Sequence, residues 1–140
     1  MMTGYITSAQ MKQGSQVCIT AMIAIVDDDE SIRTALENLL RSSGYQVRSY
    51  CNALAFLDSS GPAETHCLLS DIQMPGMDGV EMHQRLVAKG FDIPTIFITA
   101  YPEAAPCVDA SAVGLITCLP KPFDADKLLS CIEAGLRQPR

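Results

Sequence analysis

Several absences narrow the class of this 140-residue chain before any motif is considered. No apolar run approaches the roughly 20 residues needed to cross a bilayer. The first twenty residues hold no Lys/Arg cluster followed by an apolar block, so the pattern of a secretory signal is missing. Basic residues are outnumbered, 10 Lys and Arg against 16 Asp and Glu, and the formal net charge of −6 leaves no basic footprint for direct nucleic-acid binding. Cysteine is plentiful, but paired spacing is not. Cys18, Cys51, Cys67, Cys107, Cys118 and Cys131 form no CxxC motif, and several sit inside apolar runs, where a free thiol behaves as a small buried hydrophobe. The expectation is a reducing cytoplasm, free thiols, no membrane association and no disulfide or zinc framework. What is present is enough apolar residue, 48%, to bury a real core in about one domain.

Residues 1–20 are polar and aperiodic and carry Gly4 and Gly14, so a disordered leader is expected there and a folded domain over 21–138. Met22-Ile23-Ala24-Ile25-Val26 is a continuous apolar run, the mark of a strand covered on both faces. Ile32, Ala35, Leu36, Leu39 and Leu40 then fall on one helical stripe, with Asp29 placed to cap it and Gly44 to stop it. Tyr45–Ser49 alternates instead, as an edge strand does, and a short helix is expected around Ala53–Leu57 before a Ser-Ser-Gly-Pro loop. Cys67–Leu69 is a third strand ending in Ser70-Asp71, followed by a loop and a helix over Val80–Ala88 that Asp78 caps. Pro94–Ile98 is a fourth strand, Leu115–Leu119 a fifth, and Pro102 and Pro106 constrain the helix between them. Ala125, Leu128, Leu129, Ile132 and Leu136 form a last stripe, capped by Asp124. Strands alternating with helices predict an α/β fold: a doubly wound, flavodoxin-like sheet of five parallel strands in the order 2-1-3-4-5, helices on both faces.

Polar residues interrupt the apolar runs at matching places. Asp27-Asp28-Asp29 closes strand one, Asp71 strand three, Thr99 strand four and Lys121-Pro122 strand five. In a parallel sheet these ends share one rim. Carboxylates packed there raise one another's pKa, and a hard divalent cation such as Mg²⁺ relieves the repulsion. A hydroxyl at Thr99 and an ammonium at Lys121 add contacts for phosphoryl oxygens, which leaves one carboxylate as the nucleophile of an aspartyl phosphate.

The segments Ile25-Val26-Asp27-Asp28-Asp29, Asp71-Ile72-Gln73-Met74-Pro75-Gly76-Met77-Asp78-Gly79, Ile98-Thr99-Ala100 and Lys121-Pro122-Phe123 together resemble the receiver domain of bacterial two-component response regulators, over residues 21 to 137. The resemblance implies that Asp71 accepts a phosphoryl group from a sensor histidine kinase or phosphotransfer protein. It implies that Asp28, Asp71 and the backbone carbonyl of Gln73 hold Mg²⁺ directly and Asp27 through water. It implies that Thr99 and Lys121 bind the phosphoryl oxygens, with a cis peptide after Lys121. Such a module catalyses only its own phosphorylation and dephosphorylation. Its output goes to a separate protein or a missing output domain, and a homodimer through the face of the fourth-to-fifth-strand helix, the fifth strand and the last helix is compatible with it.

Two positions depart from the family pattern. Cys118 stands where an aromatic switch partner of the threonine is common, and Leu115 where a small residue follows Gly114. Gln73 and Tyr101 occupy the places that help set phosphate lifetime, and a bulky Tyr101 implies slow self-dephosphorylation. Two other readings remain at this point. A haloacid-dehalogenase-type Mg²⁺-dependent phosphohydrolase would use Asp27 as nucleophile, matching Asp27-x-Asp29, but needs a second acidic pair on a strand after the lysine, where this sequence has a helical stripe. A degenerate receiver would act as a scaffold, an idea that Cys118 keeps open. His66 and His83, which have no partners at ligand spacing, read as a strand-entry and an exposed helix residue.

Overall fold

Apolar runs of five residues become strands here because helices cover them from both sides. In the computed structural model, which describes residues 21–100 and 115–137, the elements follow the order β1 (Met22–Val26), α1 (Glu30–Ser42), β2 (Gln46–Tyr50), α2 (Ala53–Leu57), α3 (Gly61–Glu64), β3 (Cys67–Asp71), α4 (Gly79–Ala88), β4 (Thr95–Thr99), β5 (Leu115–Pro120) and α5 (Ala125–Arg137). The five strands form one parallel sheet in the order β2-β1-β3-β4-β5, the doubly wound flavodoxin-like arrangement expected from the pattern. The expected leader, Tyr101, Gly114, and the helix after Pro102 and Pro106, with its share of the dimer face, lie outside the described residues.

Alternate side chains of β1 divide between two cores. Ile23 and Ile25 join Leu36 and Leu40 of α1 and Leu128 and Ile132 of α5. Ala24 and Val26 join Phe56 of α2 and Met82 and Leu86 of α4 on the other face. β2, which alternates in sequence, is the edge strand, with Val47 buried and its neighbours Gln46 and Arg48 exposed. The expected caps form: Asp29 accepts from the N–H of Ser31 and Ile32, Asp78 from Glu81 and Asp124 from Lys127.

The differences have local causes. The Ser-Ser-Gly-Pro stretch is not all loop, because Pro62 sits in the first turn of α3, where its fixed φ suits a helix. β4 starts at Thr95, since Pro94 has no N–H and contributes only its carbonyl, to Leu68 N–H at 2.8 Å. Ala35 is exposed despite its place on the stripe. His83 is buried, not exposed: it lies edge-on to Phe97 with ring centroids 6.1 Å apart. His66 is the strand-entry residue expected, its Nδ1 accepting from Met22 N–H at 2.8 Å. Cys51, Cys67, Cys118 and Cys131 are free thiols, and among the described residues no helix is long and apolar enough to cross a membrane.

Candidate functional site

Parallel pairing carries the carboxyl ends of four neighbouring strands to one rim, and the polar residues sit at those ends. Asp27 follows β1, Asp71 is the last residue of β3, Thr99 the last of β4, and Lys121 follows β5. Hydrogen bonds prolong the ladder past the strands: Asp27 N–H donates to Tyr50 O at 3.1 Å and Lys121 N–H to Thr99 O at 2.7 Å. The turn after β1 folds on itself, Asp29 N–H donating to Asp27 Oδ1 at 2.9 Å, while Arg33 Nη1 on α1 donates to the Asp27 carbonyl at 2.7 Å. After β3, Gln73 N–H donates to Asp71 Oδ1 at 3.3 Å and Gly79 N–H to Ile72 O at 2.8 Å, so the N-terminus of α4 lies against the backbone of Asp71.

Side chains of Asp27, Asp28 and Asp71 meet there, with one carboxylate oxygen of each within 4.8 Å of the others. Asp27 and Asp71 are 2% and 7% exposed, whereas Asp28 faces solvent. Lys121 Nζ bridges the two buried acids, 3.1 Å from Asp27 Oδ2 and 3.4 Å from Asp71 Oδ2. Burial raises the pKa of Asp71; the Lys121 charge pulls it back, and the Asp27 carboxylate adds to the rise. Burial acts the other way on Lys121, but the hydrogen bond and charge of Asp27, then Asp71, outweigh it and hold the ammonium above its ordinary range. One ammonium cannot neutralise three carboxylates. A cluster of hard oxygen donors with charge left over, one member open to solvent, fits a divalent cation such as Mg²⁺.

The structure therefore brings together Asp27, Asp28, Asp71 and Lys121, and joins Thr99 to Lys121 through the backbone. Thr99 is fully buried, and the Gln73 side chain points to solvent while its amide touches Asp71. The peptide between Lys121 and Pro122 is cis, as the resemblance implied, and Phe123 packs on the α1/α5 core. Cys118 is half-buried, and burial pushes its thiol pKa up, which makes it a poor nucleophile. Arg33 drew no attention in the sequence. The available signal was a guanidinium one helical turn beyond an acidic strand end.

The model of the response regulator receiver domain matches residues 23–133. The chain belongs to that family. Transcriptional regulatory protein FixJ of Bradyrhizobium diazoefficiens is 36% identical over 116 residues, which is 83% of this chain and 57% of FixJ. Among solved structures, response regulator StyR superposes with a TM-score of 0.78 at 43% identity, covering 85% of this chain and 60% of StyR. The response regulator TrrA of Thermotoga maritima, solved in complex with Mg(2+)-BeF, gives 0.73 at 27% identity and covers 84% of this chain and 100% of TrrA. The chain spans a little over half the length of the curated relatives it matches first. This receiver domain is a phosphoacceptor signalling module, and the match does not favour the phosphohydrolase or scaffold readings.

Proposed function

We propose that Asp71 is the phosphoacceptor, receiving its phosphoryl group from the imidazole of a phosphohistidine on a sensor kinase or phosphotransfer protein, within a receiver domain spanning residues 21–138. The observation that carries the reading is the Lys121 ammonium held 3.4 Å from Asp71 Oδ2 and 3.1 Å from Asp27 Oδ2 at a shared strand-end rim. An Asp71 carboxylate oxygen forms the new P–O bond as the P–N bond breaks, and the imidazole leaves as the neutral ring after taking a proton. Lys121 is already placed to meet an oxygen on the incoming group, and the Thr99 hydroxyl, at the end of the adjacent strand, donates to another. Asp28, Asp71 and the Gln73 carbonyl would hold Mg²⁺ directly and Asp27 through water, and the ion would supply charge neutralisation for the transferring phosphoryl group.

Phosphorylation adds about −1.5 to −2 charge at Asp71. Drawing Lys121 and Thr99 towards that charge biases the β4 and β5 ends between two arrangements, and a separate output protein or a further domain reads the difference. The module has no reaction beyond its own phosphorylation and dephosphorylation, and it works in the cytoplasm. With Cys118 at the β5 position where an aromatic is common, the change on that face proceeds without a swinging ring, and it is the face through which a homodimer would form. Acetyl phosphate or phosphoramidate with Mg²⁺ should label the wild-type chain, and Asp71→Asn or removal of Mg²⁺ should abolish labelling. Undiminished labelling of Asp71→Asn would refute the assignment.

A further inference from the structure

We infer that Arg33 is a positioning residue for the acidic turn, fixing the Asp27–Asp28 peptide so that Asp28 presents its carboxylate to a divalent cation; this rests on the metal-site reading above. The Asp27 carbonyl is the point where the β1 ladder stops, and such a group needs a partner once it is partly buried. Arg33 Nη1 provides that partner at 2.7 Å. Every other handle on Asp27 is taken: its N–H by Tyr50 O, Oδ1 by Asp29 N–H and Oδ2 by Lys121 Nζ. The Asp29 bond closes a turn across Asp28 and restrains it in part, and the carbonyl is the remaining point by which the Asp27–Asp28 peptide plane is held. The guanidinium holds it there. Asp28 is exposed, so its pose depends on the backbone beneath it.

Arg33 also brings a permanent positive charge to the backbone of the acidic turn. Charge and position make opposite demands on cation binding. If Arg33 acted only as a charge, its removal would deepen the negative potential and tighten Mg²⁺ binding. If it acts by holding the turn, removal weakens binding despite the deeper potential. The sign of the change separates the two.

Isothermal titration of the full chain with Mg²⁺ reads that sign. Arg33→Met should bind Mg²⁺ about tenfold more weakly, the scale on which groups that orient a ligand act. Arg33→Lys, which restores a donor of similar reach, should recover most of the loss. Amide spectra in chelator should show the Asp28 and Asp29 signals shifted or broadened in Arg33→Met, with the β3 and β4 signals unmoved. Should the methionine variant fail to fold, Arg33→Gln, a neutral donor too short for this contact, carries the same expectation. Binding as tight as wild type or tighter in the neutral variants, with Asp28→Asn already impaired, overturns the role of Arg33 alone. Wild-type chain that takes no Mg²⁺, or Asp28→Asn that binds it normally, overturns the metal-site reading and the Arg33 role together.

Discussion

Asp71 carries two demands that conflict in the absence of a cation: a nucleophile must be ionised, and a buried carboxylate beside Asp27 resists ionisation. Its pKa is raised by burial first, with Lys121 opposing and Asp27 reinforcing, so the folded state holds its proton more firmly than the unfolded chain does. Between the ordinary value of 3.8 and the higher folded value, the native state therefore binds more protons than the unfolded one, and stability falls as pH climbs through that window. The loss persists at neutral pH. Asp71→Asn cannot ionise and escapes it, so in chelator at neutral pH the variant should melt a few degrees above wild type, an advantage that shrinks as pH falls through that window and is gone below 3.8. Calorimetric melting at neutral and acid pH checks this; an Asp71→Asn variant that is less stable than wild type at neutral pH would show that the Lys121 contact outweighs the burial of the charge. The identity of these residues was legible because charge at the end of an apolar strand is costly without a use. Their partnership with Arg33 was not, since a hydrogen bond from a guanidinium to a backbone carbonyl leaves no pattern in side-chain types.

At the scale of elements, α4 shows how closely the scaffold approaches the site. A Cβ placed on Gly79 would lie 2.3 Å from the Asp71 carbonyl oxygen and 2.9 Å from Ser70 Oγ, so a side chain there must drive the helix away from β3. Gly79→Ala should cost about 1–3 kcal/mol, the range for overpacking a tight contact. It should also displace Asp71, so urea unfolding and acetyl phosphate labelling ought both to suffer; a variant with full stability would mean that α4 moves freely. Strands and long helices were readable from period alone, as in the unbroken run of β1 and the alternation of β2. The short elements are a mixed case: Ala53–Leu57 reads as a helix and forms α2, whereas the stretch that forms α3 reads as loop. α2 and α3 hold five and four residues, too few for a period to show, and they stand on local chemistry: Asn52 Oδ1 accepting from Ala55 N–H at 2.7 Å and Pro62 in a first turn. His83 was misjudged for a different reason. Gly79, Met82, His83 and Leu86 are the buried residues of α4, spaced i, i+3, i+4 and i+7, so the stripe was present, and polarity was allowed to override spacing.

Across the whole molecule, α1 runs from the rim to the opposite end of the sheet, because it begins just after the carboxyl end of β1 and returns the chain to the start of β2. Leu40, near its far end, is fully buried with Val47 in the α1/α5 core, while Asp27 and Asp28 precede its first turn. Folding stability and metal response should then be separable. Leu40→Ala leaves a cavity and should lower stability by about 2–5 kcal/mol. A ligand that binds only the folded state adds RT ln(1 + [L]/Kd), about 2.7 kcal/mol at a hundredfold excess over Kd, whatever the starting stability. The Mg²⁺-induced gain in unfolding free energy should therefore be the same in Leu40→Ala as in wild type, although the variant unfolds at lower denaturant, and it should vanish in Asp28→Asn, whose core is intact. Urea titrations at matched Mg²⁺ concentrations provide the comparison. A Mg²⁺ gain that shrank in Leu40→Ala would mean that packing at the far end sets the geometry of the rim, and the sheet could no longer be treated as a rigid frame for the four strand ends.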